Sequence, residues 1–257
     1  MLNLSFGIYD FALFTAVFLR LSFIVFMLPV FSSPQIPNQL KACFTIAFTA
    51  MLYPYLRDIV NPLAFEPISL VTVIVGEMIF GLIFSISILI IFSAFQLAGD
   101  LVTSEMGFGF AQMADPQSGG SSMIFSVWFH LMAMLLFFTL NGHHIVLKII
   151  VESFRSVPIG SFALDAEIFQ KIIALSTRLF VIAIKISAPV LVVLLLTYVG
   201  MGLIAKFAPQ INILTTSFPI TIIVGLIFMS FSVLVWGNAM QDYYNQLYHF
   251  LQNLVRR

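Results

Sequence analysis

Arg20, Glu77 and Lys185 are ionisable side chains that each lie inside an apolar run of this 257-residue chain. On insertion scales a charge at the centre of a bilayer costs about 3 kcal/mol, so such residues face protein or water. Two chemistries are open to them: an ion pair that fixes one helix against another, or a proton relay through Glu77. Structural pairing is the expected role. Glu77 has Gly76 beside it, and Gly81 and Ser85 follow at four-residue steps. That stripe is small and polar, which lets helices approach closely. Arg178 and Lys185 are seven residues apart and share a helix face. Lys185 is one match open to Glu77, although nothing in the sequence fixes it.

The other reactive side chains do not assemble into a site. Asn141-Gly142-His143-His144 closes an apolar segment. Adjacent histidines point about 100° apart on a helix, and a zinc site needs three or four ligands at compatible spacing. His130 and His249 do not complete one, so interfacial anchoring or helix termination is expected, with no metal and no cofactor. The single cysteine, Cys43, excludes an internal disulfide and reads as a small buried hydrophobe. There is no Gly-x-Ser-x-Gly elbow, no phosphate-binding loop and no His-Glu-x-x-His. An enzyme is not expected.

The stretch Gly99 to Ser122 carries a different kind of chemistry. It interleaves Met106, Phe108, Phe110 and Met113 with Gly107 and Gly109. A connector between apolar segments is normally polar. This one sets bulky, non-directional side chains on a flexible backbone, which suits a soft plug or gasket with hinge glycines.

The elements that must position these residues follow from composition. The chain is 61% hydrophobic and 9% charged with a net charge of zero, against roughly 25% charged in a soluble domain. It is membrane-inserted or buried in a larger apolar assembly. Its eleven Lys and Arg form no basic stripe, which argues against nucleic acid. Six apolar segments stand out against a span of roughly 20 residues: Phe11 to Phe31, Ala42 to Leu56, Ile68 to Ala98, Met123 to Leu147, Leu179 to Ala205 and Phe218 to Trp236. The second is short and the third overlong. No strand-like alternation competes, so the fold class is all-α, with about six long apolar helices as kinked hairpins.

Pro189 is expected to kink the fifth helix and free a carbonyl near Lys185, and Ser217 with Pro219 reads as a helix start. Asp165 to Arg178 reads as an amphipathic helix, with Ile168, Ile172 and Leu175 on one face. The tail is amphipathic too, with Met240, Tyr244, Leu247, Leu251 and Leu254 at three- and four-residue steps. It suits an interfacial helix or a docking helix. No basic n-region precedes Asp10, so the first run reads as a retained membrane segment. With cytoplasmic termini, Arg57, Lys148, Arg155, Lys171, Arg178, Arg256 and Arg257 fall inside, and Lys41 and Lys206 outside. That puts the Gly99–Ser122 loop outside. The chain reads as one domain: residues 1–98, a plug loop at 99–122, residues 123–236, and a tail at 237–257.

Several stretches in this order resemble the FliR family of type III export-gate subunits. They are Arg20 with Pro29-Val30-Phe31-Ser32, Ile36-Pro37 and Lys41; Gly76-Glu77 with Gly81; and Gln96-Leu97-Ala98-Gly99 running to Met106-Gly107-Phe108 and Asp115-Pro116. Asn141-Gly142-His143-His144 with Pro158 and Gly160, and then Phe218-Pro219, complete the set. The resemblance spans almost the whole chain. It departs at Ile211 to Thr216, where a more methionine-rich stretch is expected.

The resemblance implies a subunit of the flagellar protein-export gate in the bacterial inner membrane and basal body. Its implied partners are FliP-like and FliQ-like membrane subunits, an FlhB-like subunit, membrane lipids and unfolded secreted proteins. It also implies that Met106 to Met113 lie in a central pore that they help block, and that some segments bury against neighbouring subunits rather than lipid. A subunit of a virulence secretion system shares the pattern. A secondary transporter for a small solute is the other reading, with Arg20, Glu77 and Lys185 around a midplane site, and a membrane scaffold is a third.

Overall fold

The structure, a computed structural model, describes residues 8–32, 36–57, 67–108, 124–162, 166–210 and 213–255. Among these the regular elements are all helices: α1 Ile8–Met27, α2 Pro29–Ser32, α3 Asn38–Arg57, α4 Pro67–Glu105, α5 Ile124–Thr139, α6 Gly142–Ser156, α7 Ala166–Phe207 and α8 Ile213–Val255. The chain divides into two compact units. One comprises residues 1–89, 141–175 and 245–257, and the other residues 90–140 and 176–244.

The six apolar segments map onto these helices unevenly. Among the described residues four helices are long and apolar enough to cross a membrane, and a fifth span arises if the broken α5–α6 pair counts as one. The segment that drops out is the second. α3 is 20 residues long, but Lys41, Thr45, Thr49 and Tyr53 recur every four residues on its buried side. The two threonine hydroxyls donate to the carbonyls of Lys41 and Thr45 one turn back, at 2.8 and 2.7 Å. A helix whose inward side is polar packs on protein, and here that protein includes α1. Cys43 sits about 200° round the helix from Lys41. It is therefore exposed, which corrects the expectation of a buried hydrophobe.

Three helices run further than the apolar segments did. α4 continues seven residues into the Gly99–Ser122 stretch, because Ala98, Val102 and Met106 extend its buried side at four-residue steps. α7 joins the amphipathic Asp165–Arg178 pattern to the fifth segment and stays helical through Pro189. α8 starts at Ile213, ahead of Ser217, and runs on through the tail. Met240, Tyr243, Tyr244 and Leu247 are buried there; the side chains of Leu251 and Leu254 lie outside the described set. The fourth segment, by contrast, splits. Asn141 takes the left-handed conformation, with φ 56°, between α5 and α6, a position that Asn tolerates better than most residues. The Asn-Gly-His-His stretch thus ends one helix and starts the next.

In the first unit α1 buries Leu13, Ala16, Val17, Arg20, Leu21 and Ile24, a stripe at three- and four-residue spacing. α4 answers with Glu77, Phe80, Gly81, Phe84 and Ser85. The helices meet at Gly81: a Cβ there would lie 2.9 Å from the Phe23 Cβ and 3.0 Å from the Arg20 carbonyl oxygen. Ser85 reinforces the crossing by donating to the Phe23 carbonyl at 3.1 Å. Phe80, Ile83, Val157 and Ile168 form the core beside it, flanked by Phe162, Ile172 and Phe250.

Candidate functional site

The first unit is built around Arg20 and Glu77, both fully buried. The Arg20 guanidinium donates from Nε to Glu77 Oε2 and from Nη2 to Oε1, the latter at 2.9 Å. Its remaining donors reach the carbonyls of Ser153 at 3.3 Å and Val157 at 3.1 Å. Those carbonyls close the last turn of α6, where helices leave acceptors unpaired and carry partial negative charge. Arg20 therefore caps α6. The turn that follows has Gly160 at φ 80°, and the Gly160 amide donates back to Glu77 Oε1 at 3.1 Å. Phe80 and Phe154 bracket the guanidinium at 4.6 and 4.4 Å. Three separate segments thus meet at one charge pair, with Arg20 rather than Lys185 as the partner of Glu77.

A second polar contact lies at the start of α1. Asp10 pairs with Arg57 at 3.2 Å and accepts from the Tyr53 hydroxyl. Burial, then the bond to Asp10 and its charge, push the Tyr53 phenol up to about 12, so Tyr53 stays a donor.

In the second unit the described residues include the first part of the Gly99–Ser122 stretch, Gly99 to Phe108, and α5 beyond it. Gly99 lets α4 and α5 touch backbone to backbone: a Cβ there would lie 2.7 Å from the Ser126 Cα. The Ser126 hydroxyl donates to Asp100. Met106 is fully buried in a notch that Gly225 leaves in α8, where a Cβ would lie 2.6 Å from the Met106 Cε. The Met106 carbonyl accepts from Thr221 at 3.2 Å, and the Tyr198 hydroxyl donates to the Glu105 carbonyl. Gly107 turns the chain at φ 89° under the Phe218 ring, and Phe108 meets Phe125 edge to face at 5.4 Å. Phe125 also walls an open apolar cleft of about 580 Å³ with Trp128, Leu226 and Met229. Of the expected gasket, Met106 is therefore an anchor held inside the fold and Phe108 is half-buried; Gly109, Phe110 and Met113 lie outside the described residues.

Lys185 is exposed on α7. Near it, the Trp236 indole donates to the Ile186 carbonyl at 3.1 Å, one residue along from the carbonyl that Pro189 leaves without its usual donor. Among the described residues no three His, Cys, Asp or Glu side chains converge on a metal-sized site. Ser126, Tyr198, Thr221 and Gly225, which hold the start of the stretch, do not stand out in the sequence as its partners. The only signal they gave was a small or polar residue inside an apolar run.

Bilayer-length apolar helices, with an internal charge pair spent on tying helices together, define a multi-pass membrane-type helical protein. Within that class the chain belongs to the bacterial export proteins, family 1, whose family model matches residues 11–247. It is similar to the flagellar biosynthetic protein FliR of Bacillus subtilis (strain 168), 27% identical over 256 residues and 95% of each chain. It is also similar to FliR of Aquifex aeolicus (strain VF5), 26% identical over 92% of each chain. With FliR of Escherichia coli (strain K12) it shares 23% identity over 92% of this chain and 90% of the other.

Proposed function

We propose that this chain is a subunit of the flagellar protein-export gate and that its Gly99–Ser122 stretch is the seal. It works in the bacterial inner membrane and basal body with cytoplasmic termini. With FliP-like, FliQ-like and FlhB-like subunits it surrounds the path of unfolded secreted proteins, as a transport component rather than an enzyme. Similarity to FliR proteins over nearly the whole chain supports the role.

The observation that carries the seal is its mounting. Asp100–Ser126, Met106 in the Gly225 notch and Phe108 on Phe125 fix the start of an apolar stretch against α5 and α8. On that mounting, Phe108, Phe110 and Met113 provide a dewetted constriction, which resists ions. Met106 holds the frame and Gly107 and Gly109 let the stretch yield. The test replaces Phe108 and Phe110 together with serine in cells that carry the whole export apparatus. Assembly at the parent level with a raised leak of small ions is the expected result, and unchanged conductance refutes the seal.

A further inference from the structure

The end of α4, residues 99–105, is helical against its own sequence. Val102 and Thr103 are β-branched, which lowers helix propensity. The Thr103 and Ser104 hydroxyls donate to the helix's own carbonyls at Gly99 and Leu101, at 2.6 and 2.8 Å, a competition that weakens it further. Glu105 adds negative charge where the helix end is already negative, and the last turn has no basic residue to offset it. What keeps this segment helical comes from outside it.

A helix end leaves its last carbonyls without donors. Here the Val102 and Ser104 carbonyls accept from the Met106 and Gly107 amides at 2.9 and 3.1 Å. Side chains of two other helices serve the carbonyls that follow. The Tyr198 hydroxyl of α7 donates to the Glu105 carbonyl, and the Thr221 hydroxyl of α8 reaches the Met106 carbonyl at 3.2 Å. α7 and α8 thus clasp the end of α4, and all of these residues lie in the second unit.

The two hydroxyls are not equivalent. Tyr198 is exposed, and among the described residues its hydroxyl has this one partner. Thr221 is buried and has two more carbonyls within reach, those of Ser217 and Phe218 in its own helix, both at 3.0 Å. Its hydroxyl carries a single proton to share among them. Thr221 can therefore leave Met106 and keep a bond, whereas the buried Met106 carbonyl loses its donor.

We propose that Tyr198 and Thr221 are positioning residues that hold the end of α4 in its resting place, and that Thr221 is a two-position switch. With Thr221 on the Met106 carbonyl, the last turn of α4 is closed. With Thr221 on the Ser217 carbonyl, that turn unwinds and draws Gly107 from under Phe218 and Phe108 off Phe125. The control of conductance rests on the seal proposed above; the clasp rests only on the bonds just described.

The test uses the whole export assembly with Tyr198→Phe or Thr221→Val, each of which removes one hydroxyl and nearly keeps the shape. Backbone hydrogen exchange of the purified assembly reads the clasp. The Met106 and Gly107 amides exchange about fivefold faster in either variant, while α4 before Gly99 keeps its rate. Thr221→Ser, which retains the hydroxyl, reverses the effect of Thr221→Val. Leak of small ions in cells, at equal assembly, reads the seal and rises in both variants. Unchanged exchange overturns the clasp. Faster exchange without a leak, where the Phe108→Ser/Phe110→Ser protein does leak, overturns the switch and leaves the seal standing. No leak in any of these variants overturns the seal and the switch together.

Discussion

Replacing Glu77 with methionine leaves the Arg20 guanidinium buried and without a counter-charge. Removing one partner of a buried pair costs about 3–5 kcal/mol. Arg20→Met costs a similar amount, because it strands Glu77 and removes the contacts with Phe80 and Phe154, each worth about 0.5–2 kcal/mol. Independent sites would then give a double loss of about 6–10 kcal/mol. The structure requires much less for Arg20→Met/Glu77→Met. Both charges are gone, and the Ser153 carbonyl keeps its bond from the Val157 amide at 2.9 Å. Only the Val157 carbonyl and the Gly160 amide lose partners, at about 1–3 kcal/mol each, and two methionines fill the space. At the midpoints of these ranges the coupling between the two sites is about 4 kcal/mol. Unfolding of the purified protein in mixed micelles, followed by tryptophan fluorescence, measures the four corners of the cycle. Losses that add to within about 0.5 kcal/mol refute the pair as the tie between α1, α4 and α6.

Glu77→Gln keeps one carbonyl acceptor but sets an amide donor against the guanidinium, so it lowers the amount of assembled protein recovered from membranes; normal assembly with proton-coupled export abolished contradicts the structural role. Gly81→Val pushes a side chain into the Phe23 Cβ and the Arg20 carbonyl and costs about 1–3 kcal/mol in the same micelle assay. Gly107→Ala combines a positive φ with a clash against the Phe218 ring, and the loss of about 1–2 kcal/mol is read as a lower melting temperature. Gly225→Leu fills the Met106 notch, so a cysteine at position Met106 becomes reactive to a membrane-permeant maleimide only in that background.

Much of the first unit was legible in the sequence. The three- and four-residue steps that bury Leu13, Val17, Leu21 and Ile24 put Arg20 on the same side of α1, and Gly81 and Ser85 marked where α4 lets another helix approach. The identity of the partners was not legible. Arg20 is bound by carbonyls that any residues at the end of α6 would supply, so the side chains of Ser153 and Val157 gave no sign of it. The glycines interleaved with Met and Phe make Gly99–Ser122 read as a loop between apolar segments, yet Ala98, Val102 and Met106 mark another two turns of helix at its start. For α3 the apolar average hid the four-residue recurrence of Lys41, Thr45, Thr49 and Tyr53, which excludes lipid from that side and turns Cys43 outward.

The contacts of Arg20 also set a clock on synthesis. Its carboxylate partner lies 57 residues later in the chain, and the Ser153 and Val157 carbonyls 133 and 137 residues later. Ribosomes add about 5–20 residues per second, so the full set of Arg20 acceptors is complete only roughly 7–27 s after Arg20 itself is made. The first helix therefore cannot be finished when it is made. A chain that ends before Ser153 carries the counter-charge of Arg20 but neither of the carbonyls that complete its hydrogen bonding.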